Sequence, residues 1–593
     1  MVRMYDIRQP FIDSWCREEA VTAMVAENFY LHGFNILRPQ VNWSTLSKAG
    51  WNDSSAGYAG MEFPLVPFLA SASYFVAGVM EWPGRILSVI FFALSLPFFY
   101  LVERLTLRTQ SAAMIATAVF SLMPLSIFMG REFTPDMASL CLSIIGLYFF
   151  IHSVENESRP GSAWMAGLAT SLAILLRLSA ATIGLVFFYI CWTRFGPAMY
   201  ATARLWGIMA LALLPPLVWY GHAYQMSVAY SPHYFFWQDG IHFASLDTYL
   251  RILYSTATAG VTPFVAAAIV AGLFLPGDRN YYGRLFHWWL LTLILYVVVA
   301  GANNAHPWSE AAIVPIGAAM AGRVCDWFHR RKGSTQAGMP VPLIAGTVVF
   351  LCGVAISAYG YLGPLYQGSS AESLRVGAAV NQLTPPDALV LLSGGENPAA
   401  VYYSHRKCLY FSDPADEFDA ITRLEEFHDS GATHVVFTPS TRGWLEQYRS
   451  LAQHLDAKYR RVQQGEDIIL FELVRPVAKP SGKPILSYRL TPSDMRSFPH
   501  WVHVILQRPP TEEELTDLAL ELHAKYPDTR FHVSDDAAGL PRLDRVADNR
   551  NLIFPEDWFL RHYFGMINVI QDGGRGKWRL IDPRRDRILA DLE

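Results

Sequence analysis

Between residues 83 and 361 the chain alternates long apolar runs with short polar breaks. The runs lie at about 83–103, 110–130, 135–153, 162–177, 178–194, 203–220, 262–276, 284–302, 309–325 and 341–361. A bilayer core needs roughly 20 apolar residues per helix, fewer where flanking side chains reach the interface, so this pattern predicts about ten membrane spans. The pair at 162–194 is interrupted only by Arg177, in Leu-Leu-Arg-Leu-Ser, and is read as two spans because that keeps the loop charges in alternation.

Short loops rich in Lys and Arg stay on the cytoplasmic side. Alternate loops carry Arg104 and Arg108; Arg159; Arg194 and Arg204; Arg279 and Arg284; then Arg323, Arg330, Arg331 and Lys332. The opposite set holds Arg131, Arg177 and Arg251, and the loop at 303–308 has no basic residue. This orientation puts residues 1–82 and everything after 361 on the external, periplasmic face of a plasma (inner) membrane. Arg3, Arg8, Arg17, Arg38 and Lys48 do not oppose it, since so long a segment translocates largely regardless of charge.

Ahead of the first run, Ala20, Ala23, Met24, Ala26 and Phe29 recur at helical spacing, which places Glu18 and Glu19 in a first helical turn with Asp13 just upstream. Residues 1–9 are polar and no apolar core follows before Asp13, so no signal peptide is expected there. Trp51 to Leu69 reads as a loop entering a short surface helix. Beyond residue 361 the pattern changes to that of two small soluble α/β domains, 362–476 and 485–593, with a Pro, Lys and Ser linker at 476–484. Strands are expected at Ala388 to Leu392, Thr433 to Thr438, Ile468 to Leu473, Val502 to Leu506, Phe531 to Ser534, Ile567 to Ile570 and Trp578 to Ile581. Helices are expected near 416–428 and 441–457, and Thr511-Glu-Glu-Glu514 is a capping box opening another to about Lys525. Neither domain carries a catalytic signature; Ser393-Gly-Gly-Glu-Asn397 lacks the spacing of a nucleotide loop and reads as a turn.

Composition agrees: 593 residues, 52% hydrophobic and 17% charged, describe an integral membrane protein. A net charge of −4 provides no basic face for a phosphate backbone, so nucleic acid is not an expected partner. The six cysteines are scattered, with neither metal spacing nor a disulfide framework.

The topology brings Glu18, Glu19, Glu62, Arg131, Asp136, the loop 221–261 with His233 and His242, and His306 to one external face, where they could share a cavity. Each has an ordinary alternative. Glu18 and Glu19 could simply complement a helix dipole, and Glu62, before Pro64, and Asp136, after Pro135, could be helix-start acids. Arg131 beside Asp136 suits recognition of a phosphate or an acid. His306, in Asn-Asn-Ala-His-Pro-Trp308, could donate a hydrogen bond to a phosphate, whereas Trp308 is read as an interfacial belt residue. Arg177, amid apolar sequence, is expensive unless it meets water or an anion. The aromatic loop Tyr224 to Gly260 would lie on lipid or cover a lipid-linked substrate. Glu62 with His233 or His242 could bind zinc, a divalent metal left open here.

In this order the segments resemble membrane glycosyltransferases of the GT-C fold, in the branch of protein O-mannosyltransferases and the bacterial aminoarabinose transferase that modifies lipid A. Glu18-Glu19-Ala20-Val-Thr-Ala23-Met-Val-Ala26 is similar to their acidic pair and alanine-rich helix, and Glu62-Phe63-Pro64-Leu65 to their entry into a surface helix. Arg131 to Asp136 resembles their second acidic loop, and His306-Pro-Trp with Pro315 their loop before a proline-containing span. The likeness covers roughly residues 12–330. It departs in having Glu18 where the family has Asp, so that Glu18 or Asp13 would serve, and in starting at the loop that a transmembrane helix precedes in the family. The resemblance implies transfer of a sugar, with inversion, from a polyprenyl-phosphate donor to a lipid, glycan or protein acceptor of the envelope. It implies Glu18 or Asp13 as general base, Glu19 and Asp136 as orienting acids, and Arg131, Arg177 and His306 as phosphate-side groups. A transporter or flippase for a lipid-linked sugar is the alternative, though no inverted repeat is seen. A non-catalytic envelope assembly protein is the other.

Overall fold

The structure is a computed structural model that describes residues 2–44, 57–107, 109–156, 160–230, 232–235, 243–275, 282–299, 311–331, 341–368, 370–473, 485–493, 501–540, 544, 556–572, 575–584 and 587–592. The chain forms two compact units. One comprises Met1–Val41, Tyr58–Ala229 and His233–Ala371, the other Asn42–Gly57, Tyr230–Pro232 and Glu372–Glu593. The expected boundary at 82 is therefore not one. The surface helices α1 (Cys16–His32) and α2 (Leu65–Ala77) pack on each other, and α2 packs on α3 (Trp82–Thr106), so they share the membrane unit's fold.

The membrane unit continues with α4 (Gln110–Leu122), α5 (Pro124–Met129), α6 (Asp136–Glu155), α7 (Pro160–Leu176), α8 (Ile183–Phe195) and α9 (Ala203–Ala229). It ends with α10 (Leu246–Ser255), α11 (Pro263–Phe274), α12 (Leu285–Val299), α13 (Ile313–Arg331) and α14 (Val341–Tyr366). Every apolar run lies on one or more of these helices. Proline sets several starts, since its missing N–H is no loss in a first turn: Pro83 opens α3, Pro124 splits the 110–130 run into α4 and α5, and Pro263 opens α11. Among the described residues five helices are long and apolar enough to cross a membrane, six if α10 and α11 count as one bent pair; α4, α7 and α12 are shorter apolar helices. One core runs through α3, α4, α6, α12 and α13, where Phe92 and Phe99 stack on Phe120, and Phe286 stacks on Trp289.

The second unit holds two six-stranded sheets. The first orders β1 (Trp43–Ser44), β3 (Lys407–Phe411), β2 (Leu389–Ser393), β4 (His434–Phe437), β6 (Ile469–Glu472) and β5 (Arg460–Gln464). The β1-β3-β2-β4 part is parallel and reads as near-continuous apolar sequence because both faces are covered. Helices α15 (Ala371–Leu383), α16 (Pro398–Ser404), α17 (Glu417–Asp429), α18 (Trp444–Gln447) and α19 (Arg449–Lys458) accompany it. The second sheet runs β12 (Arg587–Asp591), β11 (Arg575–Asp582), β10 (Tyr563–Asp572), β9 (Arg530–Ser534), β8 (Trp501–Leu506) and β7 (Tyr488–Pro492). Helix α20 (Glu512–Lys525) makes the β8–β9 crossover, opened by the expected Thr511/Glu514 capping box, and α21 (Glu556–His562) precedes β10. Each sheet has its own core.

Candidate active site

Arg177 sits where α7 stops. Its backbone is extended (φ −149°, ψ 120°), and a 3-10 turn, Leu178–Thr182, leads into α8. The break turns the side chain toward two acids: Nη1 donates to Glu62 Oε1 at 2.8 Å and Nη2 to Asp136 Oδ2 at 2.8 Å. Asp136 is the first residue of α6 and Glu62 lies three residues before α2, so three element ends converge on one guanidinium. The Glu62 segment is laced in place: Phe63 N–H donates to Leu175 O at 2.9 Å, and Trp219 Nε1 donates to Met61 O at 3.1 Å. Gly60 tolerates no side chain, since a Cβ would come within 2.3 Å of Ala223 O.

Glu18, in the first turn of α1, is half-buried, and Arg177 and Asp136 both act on it electrostatically. Burial is the main influence and raises its carboxyl above the ordinary range, with Arg177 pulling the other way. Arg177 and Asp136 also head a narrow cleft of about 30 Å³, lined by Ser139, Ser143, Thr182 and Trp289 among others. The site thus has two carboxylates paired with one cation, partly open to solvent, and a third carboxylate, Glu18, within its electrostatic reach.

The neighbouring residue Glu19 points into a different, fully buried cluster. Arg85, from the first turn of α3, donates to it through Nε (2.9 Å) and Nη2 (2.8 Å), and Phe133 N–H donates to Glu19 Oε1 at 2.8 Å. Arg131 binds Glu132 Oε1 at 2.9 Å and Asp13 Oδ2 at 3.4 Å, and donates to the carbonyls of Tyr5 and Asp6 and to Gln9 Oε1. Arg85 completes the ring with Asp13 Oδ2 at 3.5 Å and the carbonyls of Ile7 and Gln9. Three acids face two guanidiniums, so one proton balances the cluster. Burial, then the Glu19 charge, lift the Asp13 carboxyl to about 7, and burial raises Glu132 as well. Burial also opposes charge on Glu19, but Arg85 outweighs it and holds Glu19 below its ordinary range.

The sequence allowed Glu18, Glu19, Glu62, Arg131 and Asp136 to share one cavity; in the structure they divide between two clusters. Glu62, Asp136 and Arg177 meet at the partly open site, within electrostatic reach of Glu18. Asp13, Glu19 and Arg131 are sealed in the buried cluster, Glu19 because adjacent helical positions 18 and 19 point about 100° apart. Arg85 was missed, and the signal lay in view: a charge at the third position of an apolar run is expensive unless paired, the same reasoning that marked Arg177. His306 and His242 lie outside the described residues. His233 Nδ1 pairs with Ser227 O at 3.0 Å, and among the described residues neither it nor Glu62 joins a group of three metal-ligand side chains. The oxygens of Asp13, Glu19 and Glu132 do come within 4.8 Å of one another, but Arg85 and Arg131 already pair with all three, so a divalent cation does not fit there.

A polytopic bundle with an acidic first helix, a second short helix and a charged loop before α6 has the GT-C fold of membrane glycosyltransferases. The family model described as dolichyl-phosphate-mannose-protein mannosyltransferase matches residues 61–220. ArnT from Cupriavidus metallidurans in the apo state is similar in structure at a TM-score of 0.56 and 16% identity, covering 80% of this chain and 96% of that one. The same protein bound to undecaprenyl phosphate gives 0.54 and 15%, covering 81% and 97%. The Archaeoglobus fulgidus oligosaccharyltransferase AglB, in complex with an inhibitory peptide and a dolichol-phosphate, gives 0.50 and 12%, covering 94% and 81%. No curated protein matches the sequence.

Proposed function

We propose that the protein is a membrane glycosyltransferase that moves a sugar from a polyprenyl-phosphate donor to an envelope acceptor, with inversion. The observation that carries this is Arg177 held between Glu62 and Asp136 beside the half-buried Glu18. The fold supports it, as do the undecaprenyl phosphate in ArnT and the dolichol-phosphate in AglB. Glu18 is the general base that takes the proton from the acceptor hydroxyl as it attacks the anomeric carbon. Arg177 binds the departing phosphate. Because both of its NH2 arms are already engaged, Asp136 and Glu62 fix its orientation and the phosphate competes for one arm. One displacement inverts the anomeric centre. Asp13 drops out as base, since its carboxyl is sealed from solvent between Arg85 and Arg131.

The test is sugar transfer in proteoliposomes with a polyprenyl-phosphate sugar. Glu18→Gln is expected to lower kcat by about 10²–10⁴-fold, and Arg177→Gln to lower donor affinity as well as turnover. A base must be ionised to act, so activity should fall as pH drops through the Glu18 pKa, along a limb above the ordinary glutamate range. Full activity of Glu18→Gln would refute the assignment.

A metal plays no part in this mechanism, because Arg177 occupies the cationic position between Glu62 and Asp136. Chelation is therefore expected to leave transfer unchanged. Loss of activity on chelation, restored by zinc, would return Glu62 and His233 to consideration; one crystal form of the Archaeoglobus fulgidus enzyme contains zinc and sulfate.

A further inference from the structure

Helix α10 carries three different faces on ten residues. One is packed: Ile252 is buried, and Tyr249 Oη donates to Val298 O at 2.8 Å and accepts from Ala244 N–H at 3.1 Å. A second is apolar and bare, with Leu246 at 74%, Leu250 at 56%, Leu253 at 65% and Tyr254 at 73% exposure. At 100° per residue these four fall within about 100° of arc. The third, next to it, is the exposed pair Asp247 and Arg251, joined by an i,i+4 ion pair.

Two further observations fix where this bare strip lies. Through Tyr249 the helix is tied to the last turn of α12, an apolar helix, so it stands at the level where that helix ends. Its continuation α11 leaves at 111°, across a π-helical turn, Thr256–Gly260, and Thr262 at φ +82°. That φ is an outlier for a β-branched residue and is held by the surrounding packing, with Thr262 fully buried. A helix at about a right angle to a membrane helix, joined to the end of another, lies parallel to the bilayer surface. An exposed half divided lengthwise into an apolar strip and a charged strip matches the boundary between hydrocarbon and water.

We propose that α10 is seated in the bilayer interface on the same side as the Arg177 site, with Leu246, Leu250, Leu253 and Tyr254 in the acyl region and Asp247 and Arg251 in the headgroups. The partner is the lipid surface itself. Because Asp247 and Arg251 cancel, the seating does not depend on anionic lipid. The orientation follows from α10's place in the bundle: α12 ends, and α6 begins with Asp136, at that same end of the helices.

The full chain is tested in proteoliposomes of phosphatidylcholine, and of phosphatidylcholine with phosphatidylglycerol, carrying one nitroxide at a time on Leu250→Cys, Leu253→Cys, Asp247→Cys or Arg251→Cys. Power saturation against oxygen and a water-soluble nickel chelate reads the depth of each. The labels at Leu250 and Leu253 are expected roughly 5–10 Å below the phosphates, those at 247 and 251 in water, with the same depths in both lipids. Equal nickel access at all four positions would overturn the proposal, as would labels at Leu250 and Leu253 shielded from both reagents, which would mean that protein covers the strip. A Leu250→Ser/Leu253→Ser variant, which leaves the packed face intact, should lose the depth difference read from a label at Tyr254→Cys; an unchanged depth there would also overturn it.

Discussion

At the residue scale, Arg85 sets the geometry on which Glu18 and Asp136 depend. Arg85 holds Glu19, one residue from Glu18, and Glu19 in turn binds Phe133 N–H, three residues before Asp136. Arg85 therefore ties α1 to the loop that delivers Asp136. Removing one partner of a buried pair leaves an uncompensated charge, so Arg85→Ala should destabilise the membrane unit by about 3–5 kcal/mol, seen as a lowered detergent-solubilised Tm. Asp13→Asn should cost less than Arg85→Ala, since burial already favours the uncharged form of the Asp13 carboxyl. The Asp13 pKa is raised in the folded protein, to about 7, from about 3.9 unfolded, so its contribution to stability is complete below pH 4 and is lost as pH rises through 7. Thermal unfolding from pH 4 to 8 should show that decline in the parent and a flatter profile in Asp13→Asn.

At the scale of elements, the charged loop before α6 is wedged rather than merely tethered. The Phe133 ring covers Gly84 so closely that a Cβ there would come within 2.3 Å of it, and Ser88 Oγ donates to Glu132 O at 2.6 Å. Gly84→Ala must displace the ring and the loop, and overpacking of this kind costs about 1–3 kcal/mol. Under the proposed function it should also depress transfer more than this stability loss explains, because Asp136 moves with the loop; a kcat assay on protein that retains its gel-filtration profile distinguishes the two effects. Gly84 stood in the sequence as one more small residue in an apolar run. Its role is visible only once α3 and the loop, some fifty residues apart, are face to face.

At the scale of the molecule, the second unit is not simply the C-terminal part of the chain. Residues 42–57 and 230–232 belong to it, and Trp43–Ser44 forms the parallel edge strand β1 beside β3, with Cys408 N–H donating to Asn42 O at 2.8 Å. Trp43 is buried, so Trp43→Ala should destabilise this unit by about 3–5 kcal/mol and speed hydrogen exchange in Lys407–Phe411, while exchange in α6 stays unchanged. The sequence placed the start of this unit at 362 and missed β1 entirely. A two-residue strand has no periodicity to detect, and its partner lies more than 360 residues away.

What the sequence determined on its own was everything governed by local pattern. The apolar runs fell on helices, the break at Arg177 fell between α7 and α8, and the capping box opened α20, because hydrophobic period, helix-breaking residues and caps act within a few turns. It also nominated Arg177, Glu62 and Asp136, which the structure joins in ion pairs, and Glu18, on which Arg177 and Asp136 act electrostatically. What only the tertiary structure decided was which charges share a site. Glu18 and Glu19 are neighbours with equal propensities, yet one stays half-buried and the other is sealed against Arg85, a partition fixed by how α1 is rotated against α3 and the Phe133 loop. Ion pairs between distant segments depend on distance and burial, and neither is written into a linear chain.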